Sequence, residues 1–292
     1  MSKLLVVTPI HNERSNIVQL CEQMAASTLL PTLWVIVDDG STDGGAELID
    51  EDALPMPTRV LKRENGGGLV GGSAFTAWQY GIDHALADCD YDMVMKLDAD
   101  VELEPTYLEE VAKQMKSGSN VGLVGGVLVG LRDREQTVHV PGPVKMYSFA
   151  AYEAMTDLPR AVGFDVMDEV CLKSKGFEVV VRRDLHVSLR RAIGASQGRV
   201  HGRRRNGKVC RWTGYWWPYF ILHAIRYFFR PPYAVGSLAM VYGFLDAGPG
   251  PYDSQLRRLH AAEQKRKLRS ALRSPRLWVK TTYGIDEQIP VS

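Results

Sequence analysis

At 292 residues, with 45% hydrophobic and 24% charged side chains, the chain is long enough for one large α/β domain with an appended segment, which excludes a small scaffold whose core needs staples. Its four cysteines, Cys21, Cys89, Cys171 and Cys210, stand apart with none of the close pairings of zinc or redox sites, so a reducing compartment is expected. The net charge of +1 hides a division: residues 185–292 hold 19 Lys/Arg against 5 Asp/Glu, a net +14, and the 16 Lys/Arg and 29 Asp/Glu of residues 1–184 give −13.

That reversal near Asp184 predicts two parts, an α/β core over 1–184 and a basic extension over 185–292. A solvated basic face is one reading, and an excess of this size usually has an anionic partner, either membrane headgroups, nucleic acid or a phosphorylated substrate. The N-terminal MSKLLVVTPIHNE reaches polar residues without a signal-peptide cleavage site, and it reads as a first strand of a cytoplasmic protein.

In chain order, Leu4 to Thr8 is a buried strand. Ile17, Leu20, Cys21 and Met24 then recur at i, i+3, i+4 and i+7, one face of an amphipathic helix. Leu33 to Val37 is a second strand that ends in Asp38-Asp39-Gly40-Ser41, and Ser41 or Thr42 is the expected N-cap of a following helix. Arg59 to Leu61 runs into the glycine cluster Asn65-Gly66-Gly67-Gly68. Tyr91 to Leu97 is a fourth strand, ending directly at Asp98. The alternation predicts βαβ units and a mostly parallel sheet, with polar residues delivered at the carboxyl ends of strands, where such sheets bind ligands.

Val121 to Leu131 is a further strand, whose Gly122, Gly125, Gly126 and Gly130 suggest close approach of another backbone or a ligand. Two apolar segments, Tyr215 to Phe229 and Tyr233 to Leu245, flank Arg230-Pro231-Pro232. Each is shorter than the roughly 20 residues of a spanning helix. They either lie in a bilayer interface, with Trp216, Trp217, Phe220 and Ile221 inserted, or form a docked hairpin. A basic helix over Ser254 to Arg273 follows.

The chemistry concentrates in Lys96-Leu97-Asp98-Ala99-Asp100. Two carboxylates at i and i+2 on a tight turn can converge on a hard divalent cation that also takes phosphate oxygens. Asp39 can accept a uracil imide N–H or bond a ribose hydroxyl. The glycines after Asn65 let backbone N–H groups approach a phosphate or sugar. Each piece alone is commonplace: a solvated turn, a capped strand end, a flexible loop.

Taken in order, Thr8-Pro9-Ile10-His11-Asn12-Glu13, Asp38-Asp39-Gly40-Ser41, the Asn-Gly-Gly run and Asp98-Ala99-Asp100 resemble the family 2 glycosyltransferases over about residues 3–246. The resemblance implies a GT-A fold, a Rossmann-like, mostly parallel α/β sheet with a helical, basic C-terminal extension. It also implies a nucleotide-sugar donor, a UDP-sugar by default, and a catalytic core within 1–184. Pro9, His11, Glu13 and Asp39 then contact the nucleoside, with Thr8, Asn65, Gly66, Gly67 and Lys96 around them. Asp98 and Asp100 hold Mn²⁺ or Mg²⁺ on the diphosphate. His11 stands where tyrosine is more usual.

Gly163-Phe164-Asp165-Val166-Met167-Asp168-Glu169 looks like the segment of family members acting on polysaccharide precursors that carries the base of an inverting transfer. Asp168 is the candidate and Glu169 the fallback. Arg190 to Trp212 resembles the family's mobile region over the donor, where Arg203, Arg204 and Arg205 could neutralise diphosphate charge. Relatives carry a His-His-Arg run where this chain has Leu189-Arg190-Arg191. His186 or His201 would then replace the missing metal ligand, or the metal does without one. The acceptor expected is a glycan or lipid-linked precursor of a surface polysaccharide, at the inner face of a membrane. The alternatives are modified bases in DNA, tracked by the basic third, and a non-catalytic nucleotide-binding protein on the same fold.

Overall fold

The structure, a computed structural model, describes residues 2–63, 73–87, 89–129, 139–190 and 198–276. The chain divides into two compact units, Met1–Ala161 with Leu172–Arg190, and Val162–Cys171 with Arg191–Ser292.

The first unit is built on an eight-stranded sheet. Its leading strands are β1 (Leu4–Ile10), β2 (Leu33–Asp38), β3 (Thr58–Lys62) and β4 (Met93–Leu97). The remaining four are β5 (Val101–Leu103), β6 (Val121–Val129), β7 (Val144–Ser148) and β8 (Glu178–Leu189), in spatial order β3-β2-β1-β4-β7-β6-β8-β5. β3, β2, β1 and β4 are mutually parallel, β7 is antiparallel to β4 and β6, β8 is parallel to β6, and β5 is antiparallel to β8. β1, β2 and β4 are near-continuous apolar runs buried along almost their whole length, as expected for central parallel strands covered on both faces.

Helices α1 (Arg14–Ala25), α2 (Ser73–Leu86), α3 (Tyr107–Met115) and α4 (Phe149–Ala154) follow β1, β3, β5 and β7. α1 buries Ile17, Leu20 and Met24 into the main core, with Cys21 at its margin. The charge reversal at Asp184 falls inside β8.

The turn between β4 and β5 bends the sheet. Only Asp98, Ala99 and Asp100 separate them, yet β5 is four places along from β4 in the strand order. Four inter-strand steps of about 4.8 Å would span about 19 Å in a flat sheet, whereas the chain from Leu97 to Val101 reaches at most about 14 Å. The sheet therefore curls, and its far edge returns to the carboxyl end of β4.

Two glycines of β6 serve backbone approach, while Gly122 makes room for the Phe177 side chain and Gly130 lies outside the described residues. A Cβ on Gly125 would lie 2.6 Å from the Val144 carbonyl oxygen, and one on Gly126 2.3 Å from that of Leu185. The Gly126 N–H also donates to the Tyr107 hydroxyl at 2.9 Å.

α5 (Phe164–Ser174) carries the chain between the units. The second unit adds α6 (Arg199–Trp212), α7 (Trp217–Phe228), α8 (Tyr233–Asp246) and α9 (Ser254–Arg273). Its small core joins Cys210, Phe220, Met240 and Phe244. α6 and α8 meet at glycines: a Cβ on Gly207 would lie 1.9 Å from the Met240 carbonyl oxygen, and one on Gly243 1.9 Å from that of Arg204. The stretch 199–212, within the segment likened to a mobile region, is helical. Of the four side chains that the interfacial reading inserts into lipid, Phe220 is buried, because it faces Phe244 across the α7–α8 packing; that reading is corrected at this residue.

Candidate functional site

Parallel strands β2, β1 and β4 lie side by side, so their carboxyl ends, Asp38, Ile10 and Leu97, share one edge. The chain order reverses between β1 and β4, which is where doubly wound sheets open a ligand crevice. The segments just beyond these ends are fastened together. The His11 Nδ1 lies 2.9 Å from the Asp39 carbonyl oxygen, the Asn12 N–H donates to the Ser41 hydroxyl at 3.0 Å, and the Thr42 N–H donates to Asn12 Oδ1 at 2.8 Å. Arg14 extends the seam, its N–H donating to the Asp43 carboxylate at 2.8 Å.

This seam replaces the expected helix cap. Ser41 and Thr42 begin no helix; the next element is a single 3-10 turn, Ala46–Leu48, entered from Gly45. Gly40 and Gly44 take positive φ of 76° and 69°, which turns the chain back toward Asn12 and Arg14 and spends the Ser41 and Thr42 polar groups on the neighbouring loop. Asn12 itself has φ of 56°, a left-handed position that asparagine tolerates.

Asp39 is buried, its N–H donates to the Ile10 carbonyl at 2.9 Å, and its carboxylate lies 3.5 Å from the Arg63 guanidinium. Arg63 was not among the sequence candidates. Its signal is the register, since Asp38 pairs with Lys62 and the next residue of each strand therefore exits together. Thr8 is fully buried and its hydroxyl accepts the Trp34 indole N–H at 3.0 Å, a packing duty inside the sheet. Pro9 is half-buried in β1 opposite Val37. Glu13 is buried at the head of α1 and its carboxylate accepts from the Asn16 amide at 2.7 Å. Asn65, Gly66 and Gly67 lie outside the described residues.

At the end of β4, the Lys96 ammonium is buried and bonds both the Asp98 carboxylate and the Gly142 carbonyl, the latter at 3.1 Å. Asp98 is half-buried and its N–H donates to the Pro143 carbonyl at 2.9 Å. Asp100 is half-buried, and its carbonyl accepts the Arg190 N–H at 2.9 Å. Arg190 also reaches the Glu102 carboxylate at 3.3 Å and the Asn16 carbonyl at 3.1 Å. It thus ties the Asp98–Asp100 turn to the first turn of α1. In the run where the resemblance leads one to expect histidines, Arg190 acts as a brace.

No group of three His, Cys, Asp or Glu side chains that could hold a metal by itself occurs among the described residues. Two carboxylates on one turn nevertheless suit a Mg²⁺- or Mn²⁺-type site in which substrate phosphates and water complete an oxygen shell. His201 is exposed on α6 in the second unit. Arg204, also on α6, pairs with Asp246 at 2.9 Å and sits over the Tyr242 ring at 4.8 Å. Asp168 and Glu169 are fully buried on α5, in the part assigned to the second unit, and Asp168 Oδ1 accepts the Glu169 N–H at 2.7 Å.

A curled, mostly parallel sheet with a carboxylate pair closing its fourth strand is the GT-A architecture. A family model described as glycosyl transferase family 2 matches residues 5–167, and the chain belongs to that family. The polyprenol monophosphomannose synthase of Mycolicibacterium smegmatis is 32% identical over 124 residues, 41% of this chain and 44% of that protein. The dolichol-phosphate mannosyltransferase of Pyrococcus furiosus is 22% identical over 201 residues, 61% and 54%. The chain spans about half the length of these curated relatives. Among solved structures, the mannosyltransferase PcManGT from Pyrobaculum calidifontis, in complex with GDP-Man and Mn²⁺, superposes with a TM-score of 0.57 at 18% identity over 96% of this chain and 84% of that one. TarS 1-349 of S. aureus with UDP-GlcNAc gives 0.54 at 16% identity over 96% and 79%. These likenesses show the fold.

Proposed function

We propose that the chain transfers a hexose from a nucleotide sugar to a glycan or lipid-linked acceptor with inversion, in a metal-dependent reaction at the carboxyl edge of β2, β1 and β4. The observation that carries this reading is the Asp98-Ala99-Asp100 turn, held at that edge by Lys96 below and by Arg190 through the Asp100 carbonyl. Asp39, beside Arg63, receives the nucleoside, with His11, Pro9 and Glu13 around the adjoining loop. Asp98 and Asp100 hold the divalent cation, which when bound offsets the negative charge that builds on the departing diphosphate. Asp168 takes the acceptor hydroxyl's proton as its oxygen attacks the anomeric carbon, with Glu169 the second candidate.

GDP-Man and Mn²⁺ in one fold relative and UDP-GlcNAc in another keep both nucleotides as donors to test, with a UDP-hexose first. The names of the curated relatives, polyprenol and dolichol-phosphate mannose transferases, favour a lipid-linked acceptor over a base in DNA. The test is donor hydrolysis and transfer across UDP-, GDP- and dTDP-sugars, with and without Mn²⁺, for wild type and Asp100→Ala. Loss of about 10²–10⁴-fold in turnover is expected in the variant, with an unchanged circular dichroism spectrum. Full activity in excess EDTA, or an unimpaired variant, would remove the metal and the role assigned to this turn.

A further inference from the structure

Helices α7 and α8 each carry two apolar faces. Their inner faces meet: Phe220 stacks on Phe244 with ring centroids 4.0 Å apart, and the Ser237 hydroxyl donates to the Ala224 carbonyl at 2.8 Å. The outer face of α7 presents Trp217, Ile221, Ile225 and Phe228, spaced i, i+4, i+8 and i+11 and 45–64% exposed. That of α8 presents Val235, Leu238, Tyr242 and Leu245, spaced i, i+3, i+7 and i+10 and 54–76% exposed. A helix on a water-facing surface turns polar residues outward, so these two adjacent apolar outer faces lack a partner among the described residues.

Length and charge say which partner. No helix among the described residues is long and apolar enough to cross a membrane. The 14 residues of α8 extend about 21 Å, against a hydrocarbon core of about 30 Å. Against a bilayer, helices of this length would lie in the plane of its interface and not across it. Beside them, α9 carries seven Lys/Arg and one Glu and is fixed to the head of α7, where Gln264 accepts the Trp216 N–H at 2.8 Å and Lys265 lies 5.5 Å from the Trp216 ring. Arg258, Lys265, Arg266 and Arg269 are exposed on α9, and Arg226 and Arg230 close the far end of α7. A second copy docked on this face about a two-fold axis would set this cationic rim against itself, whereas anionic headgroups neutralise it. Trp217 and Tyr242 are side chains that settle at headgroup depth.

We propose that the outer faces of α7 and α8 insert into the interface of an anionic bilayer, with α9 laid on its headgroups. The proposal deepens the lipid-linked-acceptor reading, but vesicle binding is read without donor or acceptor and so stands or falls separately. The full chain is sedimented with phosphatidylcholine vesicles with and without phosphatidylglycerol. Binding to the anionic vesicles is expected, weakened by salt but leaving an apolar remainder. Ile225→Glu and Leu238→Glu, both at exposed positions, should each lower the partition about tenfold or more, with unchanged melting temperature and unchanged transfer to a soluble acceptor. Asp100→Ala should bind vesicles like wild type. Three results would overturn the idea: glutamate variants that bind as wild type does, binding that salt abolishes completely as for a nucleic-acid partner, or vesicle-free dimers that both glutamate variants dissociate.

Discussion

In the sheet unit, β1, β2 and β4 bury nearly every side chain and charge gathers at their carboxyl ends, at Asp38, Asp39, Lys96 and Asp98; in the helical unit, α7 and α8 bury one apolar face and expose another. The first arrangement spends apolar surface on holding a polar edge in place. The second keeps apolar surface in reserve and joins its helices by backbone contact at Gly207 and Gly243 instead of by a thick side-chain core. The readings proposed above put donor and metal binding on the first pattern and surface attachment on the second.

The sharpest test of that division is Asp168, a buried carboxylate on the α5 segment grouped with the helices. Asp168→Asn keeps size and most hydrogen bonding, including acceptance of the Glu169 N–H, but cannot take a proton. Transfer should fall by about 10²–10⁴-fold with donor affinity nearly unchanged. Should Glu169→Gln show that pattern instead, the base is displaced by one residue. If neither variant lowers transfer, chemistry is confined to the sheet unit.

A smaller effect separates the two ways of packing. Gly243→Ala places a Cβ 1.9 Å from a backbone oxygen of α6, which has no rotamer to relieve it; Gly81→Ala in α2 meets the side-chain methyls of Val7 and Val37 at 2.6 and 2.8 Å. Both should destabilise, by about 1–3 kcal/mol, with the Gly243 variant at the upper end. Hydrogen exchange should show the loss in α6–α8 for Gly243→Ala and in β1, β2 and α2 for Gly81→Ala. Equal loss throughout both units for either variant would mean that they unfold as one.

The strands and α1 were legible because each is a local pattern: apolar runs such as Leu33 to Val37, or Ile17, Leu20 and Met24 at helical spacing. So was the Asp98–Asp100 turn, since it ends such a run. What was not legible depends on partners distant in sequence. Ser41 looks like a helix cap until Asn12 claims its hydroxyl from 29 residues away. Arg190 shows its role as a brace only through its reach to the Asn16 carbonyl, 174 residues away. The outward faces of α7 and α8 could not be told from a docked hairpin, because an apolar stripe reads the same whether a neighbour covers it or not; Phe220 and Ile221 are adjacent in sequence and opposite in fate.

The smallest effect expected is a pH dependence confined to the helical unit. His223 on α7 packs against the Tyr215 and Tyr227 rings at 5.8 and 5.0 Å. Its burial, reinforced by the positive charges of Arg226, Arg203 and Arg230, pushes its pKa down from 6.5 to about 4. An unfolded chain takes up this proton as pH falls below 6.5, while the folded chain stays neutral until about 4. Stability contributed by the neutral imidazole is therefore complete above pH 6.5 and is lost progressively toward pH 4, on the order of 2 kcal/mol between pH 7 and 5. Urea melts of α6–α9 followed by tryptophan fluorescence should show this slope, and His223→Phe should flatten it. Arg226 and Arg230 are also among the cations assigned to headgroups. Anionic vesicles should therefore screen them, raise the His223 pKa and reduce the slope in the wild type, whereas phosphatidylcholine vesicles should leave it unchanged.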